Sequence, residues 1–137
     1  AYILLTKRVK KFSMKKILSI LFFILINNIA IAGMSNNDKS KAIECTGIYY
    51  ANSMIPQGEL ELEKIVHSFA AKKFLTSHLV KEGFEEEEIN KEILKVVDIR
   101  YGKPYEEETT KSCDNFIFKL IPSSKDEIKK IAESGIY

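Results

Sequence analysis

The chain has 137 residues, with 21 basic and 19 acidic side chains, 6 glycines and 3 prolines. That length supports one domain around one hydrophobic core, and few Gly and Pro beside many Glu and Lys lean towards helix. The formal charge of +2 hides an asymmetry: six basic residues (Lys7, Arg8, Lys10, Lys11, Lys15 and Lys16) and no acidic ones precede Gly33, so the rest carries 15 basic and 19 acidic residues, a formal charge of −4. An acidic domain has no electrostatic reason to bind nucleic acid or an anionic membrane surface.

Residues 14–32 read as a signal peptide. Lys15 and Lys16 form a positive n-region, and Ile17 to Ile26 is an apolar run of ten residues broken only by Ser19. A membrane span needs about 20 apolar residues, and here Asn27 and Asn28 end the run early. Ala30-Ile31-Ala32 has the small-x-small pattern that sets cleavage before Gly33. An uncleaved anchor and a buried core helix are the competing readings. No cysteine follows the run closely, which argues against a lipoprotein. Residues 1–13 are expected to be an upstream extension or fragment end without a structural role, since Met14-Lys15-Lys16 makes a better start. The working domain is then 33–137, exported, and periplasmic if the host is a Gram-negative bacterium.

Within that domain the periodicity predicts a small all-α bundle of four or five helices. Asn37 or Asp38 caps a first helix reaching about Met54, with Ala42, Cys45, Ile48 and Tyr49 on one face. Gly47 sits mid-helix at a cost of about 1 kcal/mol relative to Ala, a position that admits a neighbouring helix closely. After Pro56 and Gly58 a second helix runs from about Glu59 to Glu82, its stripe made of Leu62, Ile65, Val66, Phe69 and Ala70. Further along, Phe74, Leu75, Leu79 and Val80 spread round the helix, which implies burial on two sides or a bend near Lys72-Lys73. Gly83 terminates it.

Glu85 to Glu88 open a third helix, where the helix dipole favours acids, and Ile89, Ile93, Val96 and Val97 form its inner face up to about Arg100. A fourth helix runs from about Tyr105 to Leu120 with Cys113, Phe116, Ile117 and Leu120 inward. Ser124 and Glu127 match the S-x-x-E capping box of a short last helix that buries Ile128, Ile131 and Ala132 and ends at Gly135.

Cys45 and Cys113 are the only cysteines. In an oxidising compartment an isolated pair forms a disulfide, here between the first and fourth helices. The chain-entropy model assigns a loop of this length about 4 kcal/mol. Free thiols and redox chemistry are the alternatives, and the close C-x-x-C spacing that redox work uses is absent. His67 and His78 are eleven positions apart, so about 16 Å along a helix, too far for one metal ion. They are expected to be exposed or half-exposed, with a pH-sensitive contact as the functional alternative. The acidic runs lack the calcium-loop pattern and read as solvated first turns.

The aromatic residues Tyr49, Tyr50, Phe69, Phe74, Tyr101, Tyr105, Phe116 and Phe118 are expected to be mostly core. Tyr49 and Tyr50 are adjacent and cannot both face inwards, and Phe118 stands two residues after Phe116. Tyr50 and Phe118 are therefore the candidate protein contacts. No nucleophile elbow, zinc-protease, phosphate-loop, dinucleotide or haem motif occurs in the sequence. No cofactor, metal ligand or catalytic residue is assigned, and nothing fixes the oligomeric state.

The layout of a leader, Cys45-x-x-x-Tyr49 on an early helix and Cys113 on a late helix before a capped terminal helix is similar to that of the periplasmic amidase-immunity proteins of type VI secretion. Those are small, exported, helical and disulfide-linked. The chain itself reads as a non-catalytic protein that binds another envelope protein; the resemblance implies the alternative of a periplasmic immunity or inhibitor protein, and no binding residue carries over from it. An envelope chaperone or assembly factor suits the same layout. A small carboxylate-dependent envelope enzyme is the alternative of another class, and it requires two acids in a cleft.

Overall fold

The computed structural model describes residues 33–135. The expected signal segment, with Ala30 and Ala32 of the cleavage pattern, lies outside the described residues; Gly33 is the first of them and is exposed.

The described chain is all-helical. It holds α1 (Asn36–Ser53), α2 (Leu62–Lys81), α3 (Glu86–Arg100), α4 (Glu107–Leu120) and α5 (Ser124–Ser134). The centre is α1, which packs against α2 and α3 along its length and against α4 more locally. Ten of its 18 residues are buried, so its apolar character is spread round the helix rather than confined to one stripe. The polar residues drawn in with it are satisfied locally. Thr46 Oγ1 donates to the Ala42 carbonyl at 2.7 Å, and Ser53 Oγ donates to that of Tyr50 at 2.6 Å. Asn52 Nδ2 reaches Thr110 Oγ1 on α4 at 3.1 Å.

Gly47 does admit a neighbour. A Cβ built there would lie 2.5 Å from Val96 Cβ and 3.2 Å from the Ile93 carbonyl oxygen, so α3 rests directly on the α1 backbone. Of the residues expected to spread round α2, Phe74, Leu75 and Leu79 are buried, whereas Val80 is 39% exposed. The helix runs unbroken from Leu62 to Lys81, with α1 on one side and α5 on another. Cys45 and Cys113, both buried, form a disulfide between α1 and α4 with their Cα atoms 5.5 Å apart.

Several local expectations need correction. The cap of α1 is Ser35, whose Oγ accepts from Asp38 N at 3.1 Å; Asn37 and Asp38 lie inside the first turn, where the Asp38 carboxylate faces the positive end of the dipole. The start of α2 falls after Glu59, because Glu59 N is held by the Pro56 carbonyl in a turn at Gly58, where φ is +98°. Leu62 thus becomes the first helical residue, at 59% exposure, and the buried stripe begins at Ile65. Tyr101, expected in the core, is 67% exposed at the end of α3.

The capping box at Ser124 does not form. Ser124 is already helical and fully buried, and its hydroxyl donates to the Ile117 carbonyl at 3.3 Å. The chain turns so tightly after α4 that this hydroxyl ties the start of α5 to the last turn of α4. Backbone bonds from Ser124 N to the Ile121 carbonyl and from Glu127 N to that of Ser123 complete the turn.

Candidate functional site

Tyr50 and Phe118 are both half-buried and line different grooves, so the structure does not bring them together. The first groove lies between α2 and α3, which both pack on α1 but touch each other little. It has a volume of about 990 Å³. Its α2 wall repeats every three to four residues from Phe69 through Lys72, Lys73, Thr76, Ser77 and Val80 to Lys81. Its α3 wall is Glu86, Asn90, Ile93 and Leu94, and Tyr50 of α1 forms the floor. Val80 and Leu94 are 39% and 49% exposed, so apolar side chains face solvent there. Lys72 Nζ lies 4.2 Å from the centre of the Tyr50 ring, a cation–π contact that covers the aromatic face.

The groove has a charge of its own. Lys72, Lys73 and Lys81 stand against Glu86, a formal +2, on a domain whose overall charge is −4.

The second groove, of about 840 Å³, lies between the amino-terminal half of α2, α4 and α5. Phe118, Val66 and Ile128 supply its apolar lining, and it carries both lysines and acids. At its edge Asp114 joins three helices. Asp114 Oδ1 accepts a hydrogen bond from the Tyr49 hydroxyl on α1 and lies 2.9 Å from His67 Nε2 on α2. A carboxylate only accepts, so Nε2 is the ring nitrogen that carries the hydrogen. The His67 ring also meets Tyr49 edge-on at 5.9 Å. Burial, and then the negative charge of Asp114, push the Tyr49 phenol far above its ordinary range. Tyr49 is therefore a neutral donor at any physiological pH.

His67 is legible from the sequence only as an exposed or half-exposed histidine, and no residue type or motif points to Asp114 or to the bridge between them. The usable signal was the cysteine pair. Tyr49 is one turn after Cys45 and Asp114 directly follows Cys113, so a disulfide between them brings phenol and carboxylate into range. Both histidines are half-exposed, as their positions on the wheel imply. His78 stacks on Phe74 with ring centres 5.9 Å apart and lies 3.6 Å from Glu82, away from the Asp114 cluster.

The acidic first turns are engaged by cations on neighbouring elements. Glu107 pairs with Lys64 at 2.9 Å, and this bond holds its carboxyl below the usual range. Glu106 binds Thr109 at 2.7 Å and Arg100 at 2.8 Å, with the same effect. Among the described residues no group of three or more His, Cys, Asp or Glu side chains is placed to hold a metal ion. None of the described helices is long and apolar enough to cross a membrane.

No protein-family model matches the chain, and neither does any curated protein or solved structure.

Proposed function

We propose that this chain is an exported, non-catalytic protein of the cell envelope that binds another envelope protein through the α2–α3 groove. The observation that carries the reading is the groove itself: exposed Val80 and Leu94 flank half-buried Tyr50 in a concavity of about 990 Å³. Such a cleft receives side chains of a partner segment. The Cys45–Cys113 bridge supports the location, since isolated disulfides persist in oxidising compartments. It also supports rigidity, because α1, which floors the groove, is stapled to α4.

The test is paired capture from the envelope fraction, using the native protein and a Leu94→Glu variant. A partner retained by the first and lost by the second is the expected result. A partner retained equally by both overturns the groove as its site. Intact mass of the secreted protein should begin at Gly33, and a retained leader overturns the export step.

One observation favours a second reading. Asp114 fixes the His67 tautomer at the edge of the 840 Å³ groove, an arrangement that also suits a general base. That enzyme reading predicts turnover of a small ester or amide that His67→Gln abolishes while thermal stability is kept.

A further inference from the structure

We infer that the second groove, between α2, α4 and α5, docks a peptide segment that carries a lysine or arginine beside apolar residues, with the basic head group held on Asp114. This surface is separate from the α2–α3 groove and goes beyond the reading above.

The anchor is the open half of the Asp114 carboxylate. Its Oδ1 accepts from the Tyr49 hydroxyl and from His67 Nε2, the latter at 2.9 Å. With the imidazole neutral, both donors satisfy that oxygen without cancelling the charge. Oδ2 has no hydrogen bond among the described residues, although a carboxylate has about four lone-pair sites. The Asp114 side chain keeps 24% of its surface exposed and lines the groove. A half-buried anion in that state binds a cationic donor more strongly than a neutral one.

The charge of the groove selects the same partner. Glu63, Asp126 and Glu133 join Asp114 against Lys125 and Lys129, a formal −2 with His67 counted as neutral. Lys129 is already held by Glu133 at 3.8 Å. Glu63 on α2 and Asp126 on α5 are exposed, and neither forms an ion pair among the described residues. Lys125 offsets one of these charges and the remainder favours a cation. An acidic segment meets like charge at the same place.

The apolar lining asks for more than a bare cation. Leu62 is 59% exposed, and Val66 and Phe118 are half-buried along the same groove. The α5 wall from Lys125 to Glu133 is about 12 Å long at helical rise. About four residues of extended chain cover that length. A short segment therefore sets its basic side chain on Asp114 while its apolar side chains cover Leu62 and Phe118.

The experiment uses the purified protein and three labelled peptides of about eight residues, longer than the α5 wall in extended form. All share the same leucines, and the positions between them carry Lys, Gln or Glu. Fluorescence anisotropy should show the Lys peptide binding tightest and weakening as salt rises. Asp114→Asn keeps the shape and an acceptor oxygen but removes the charge, and it should weaken the Lys peptide about tenfold or more. Should circular dichroism show that variant unfolded, the exposed pair Glu63→Gln with Asp126→Asn decides in its place. That pair should weaken the Lys peptide about fivefold and leave the Gln peptide unchanged. Leu94→Glu, in the other groove, should change neither. If the Gln or Glu peptide binds as tightly as the Lys peptide, the basic occupant is overturned. If no peptide binds, or if Leu94→Glu weakens binding and the Glu63 and Asp126 changes do not, the second groove is overturned as the docking site. Partner capture through the α2–α3 groove stands or falls separately.

Discussion

Tyr49 donates its hydroxyl hydrogen to Asp114 directly beside the Cys45–Cys113 bridge: the phenol is one turn along α1 from Cys45, and the carboxylate follows Cys113 on α4. The staple and the polar pair thus act at one level of the bundle, and His67 ties α2 to the same oxygen. Removing the acceptor strands a buried donor. Asp114→Ala should cost about 1–3 kcal/mol, the penalty for leaving such a group unpaired. Tyr49→Phe combined with Asp114→Ala should cost less than the sum of the single changes, since the donor is then gone as well. Urea denaturation of the three variants measures this, and strict additivity would show that the bond carries no coupling.

The same pair makes stability fall in alkali. The folded-state pKa of Tyr49 is raised, chiefly by burial and next by the Asp114 charge, whereas the unfolded chain titrates near 10. Below pH 10 both states hold the proton and the stabilisation is complete. Above it the unfolded chain releases the proton and the folded chain keeps it, so stability falls by about 1.4 kcal/mol per pH unit from this group. Unfolding midpoints between pH 9 and pH 12, the window set by these titrations, should fall more steeply for the native protein than for Tyr49→Phe. Equal slopes would remove Tyr49 as the cause.

Gly47→Ala should destabilise the domain although Ala is the better helix former. The propensity gain is about 1 kcal/mol. Against it, the new methyl would lie 2.5 Å from Val96 Cβ and 2.6 Å from Val96 Cγ1, with the Ile93 carbonyl behind them. Forcing α3 outward costs about 1–3 kcal/mol or more, so the net sign is unfavourable. Adding Val96→Ala supplies the space and should restore part of the loss. Thermal melts decide it: a single variant more stable than the parent would mean that the two helices separate easily.

How far the sequence carries depends on the range of the interaction. Helix number, order and approximate limits were legible because Ile89, Ile93 and Val97, or Cys113 and Ile117, repeat at helical spacing. The disulfide was legible from an isolated cysteine pair taken together with the oxidising compartment that the leader implies. Caps were less so. Ser35 and Asp38 each suit a helix start, and Ser124 with Glu127 matches a capping box, but the α4–α5 turn takes the Ser124 hydroxyl for the Ile117 carbonyl instead. The grooves were not legible at all. That Tyr50 and Phe118 each stand beside an aromatic residue expected to face inward marks them as exposed candidates, but it does not say that Lys72 covers one of them or that Asp114 borders the groove of the other. Such placements depend on which helices pack against α1, which no local pattern encodes.

Ser68 offers a prediction of opposite sign. It is fully buried on α2, and its Oγ has no hydrogen-bond partner among the described residues. A hydroxyl in that state costs free energy in the folded chain that it does not cost in water. Ser68→Ala should therefore stabilise the domain by about 1 kcal/mol, with a small further gain from helix propensity. Its neighbours Phe69 and His67 stay in place, so partner binding should be unchanged. A loss of stability in urea denaturation would mean that the hydroxyl is satisfied in solution.

The disulfide makes stability depend on the redox state of the compartment, which tests the proposed export. Its ends are 68 positions apart, so opening it restores a large loop to the unfolded ensemble, worth about 4 kcal/mol in the chain-entropy model. Domains of this size have total stabilities of about 5–15 kcal/mol, so the reduced protein should be near the margin. Replacing both Cys45 and Cys113 by Ala should lower the urea midpoint by a large fraction, and a reducing agent should do the same to the native protein but not to the variant. Protein held in a reducing cytosol should then be degraded faster than exported protein. Two alkylatable thiols in the folded native protein, or equal half-lives in both compartments, would disconnect the staple from the place of work.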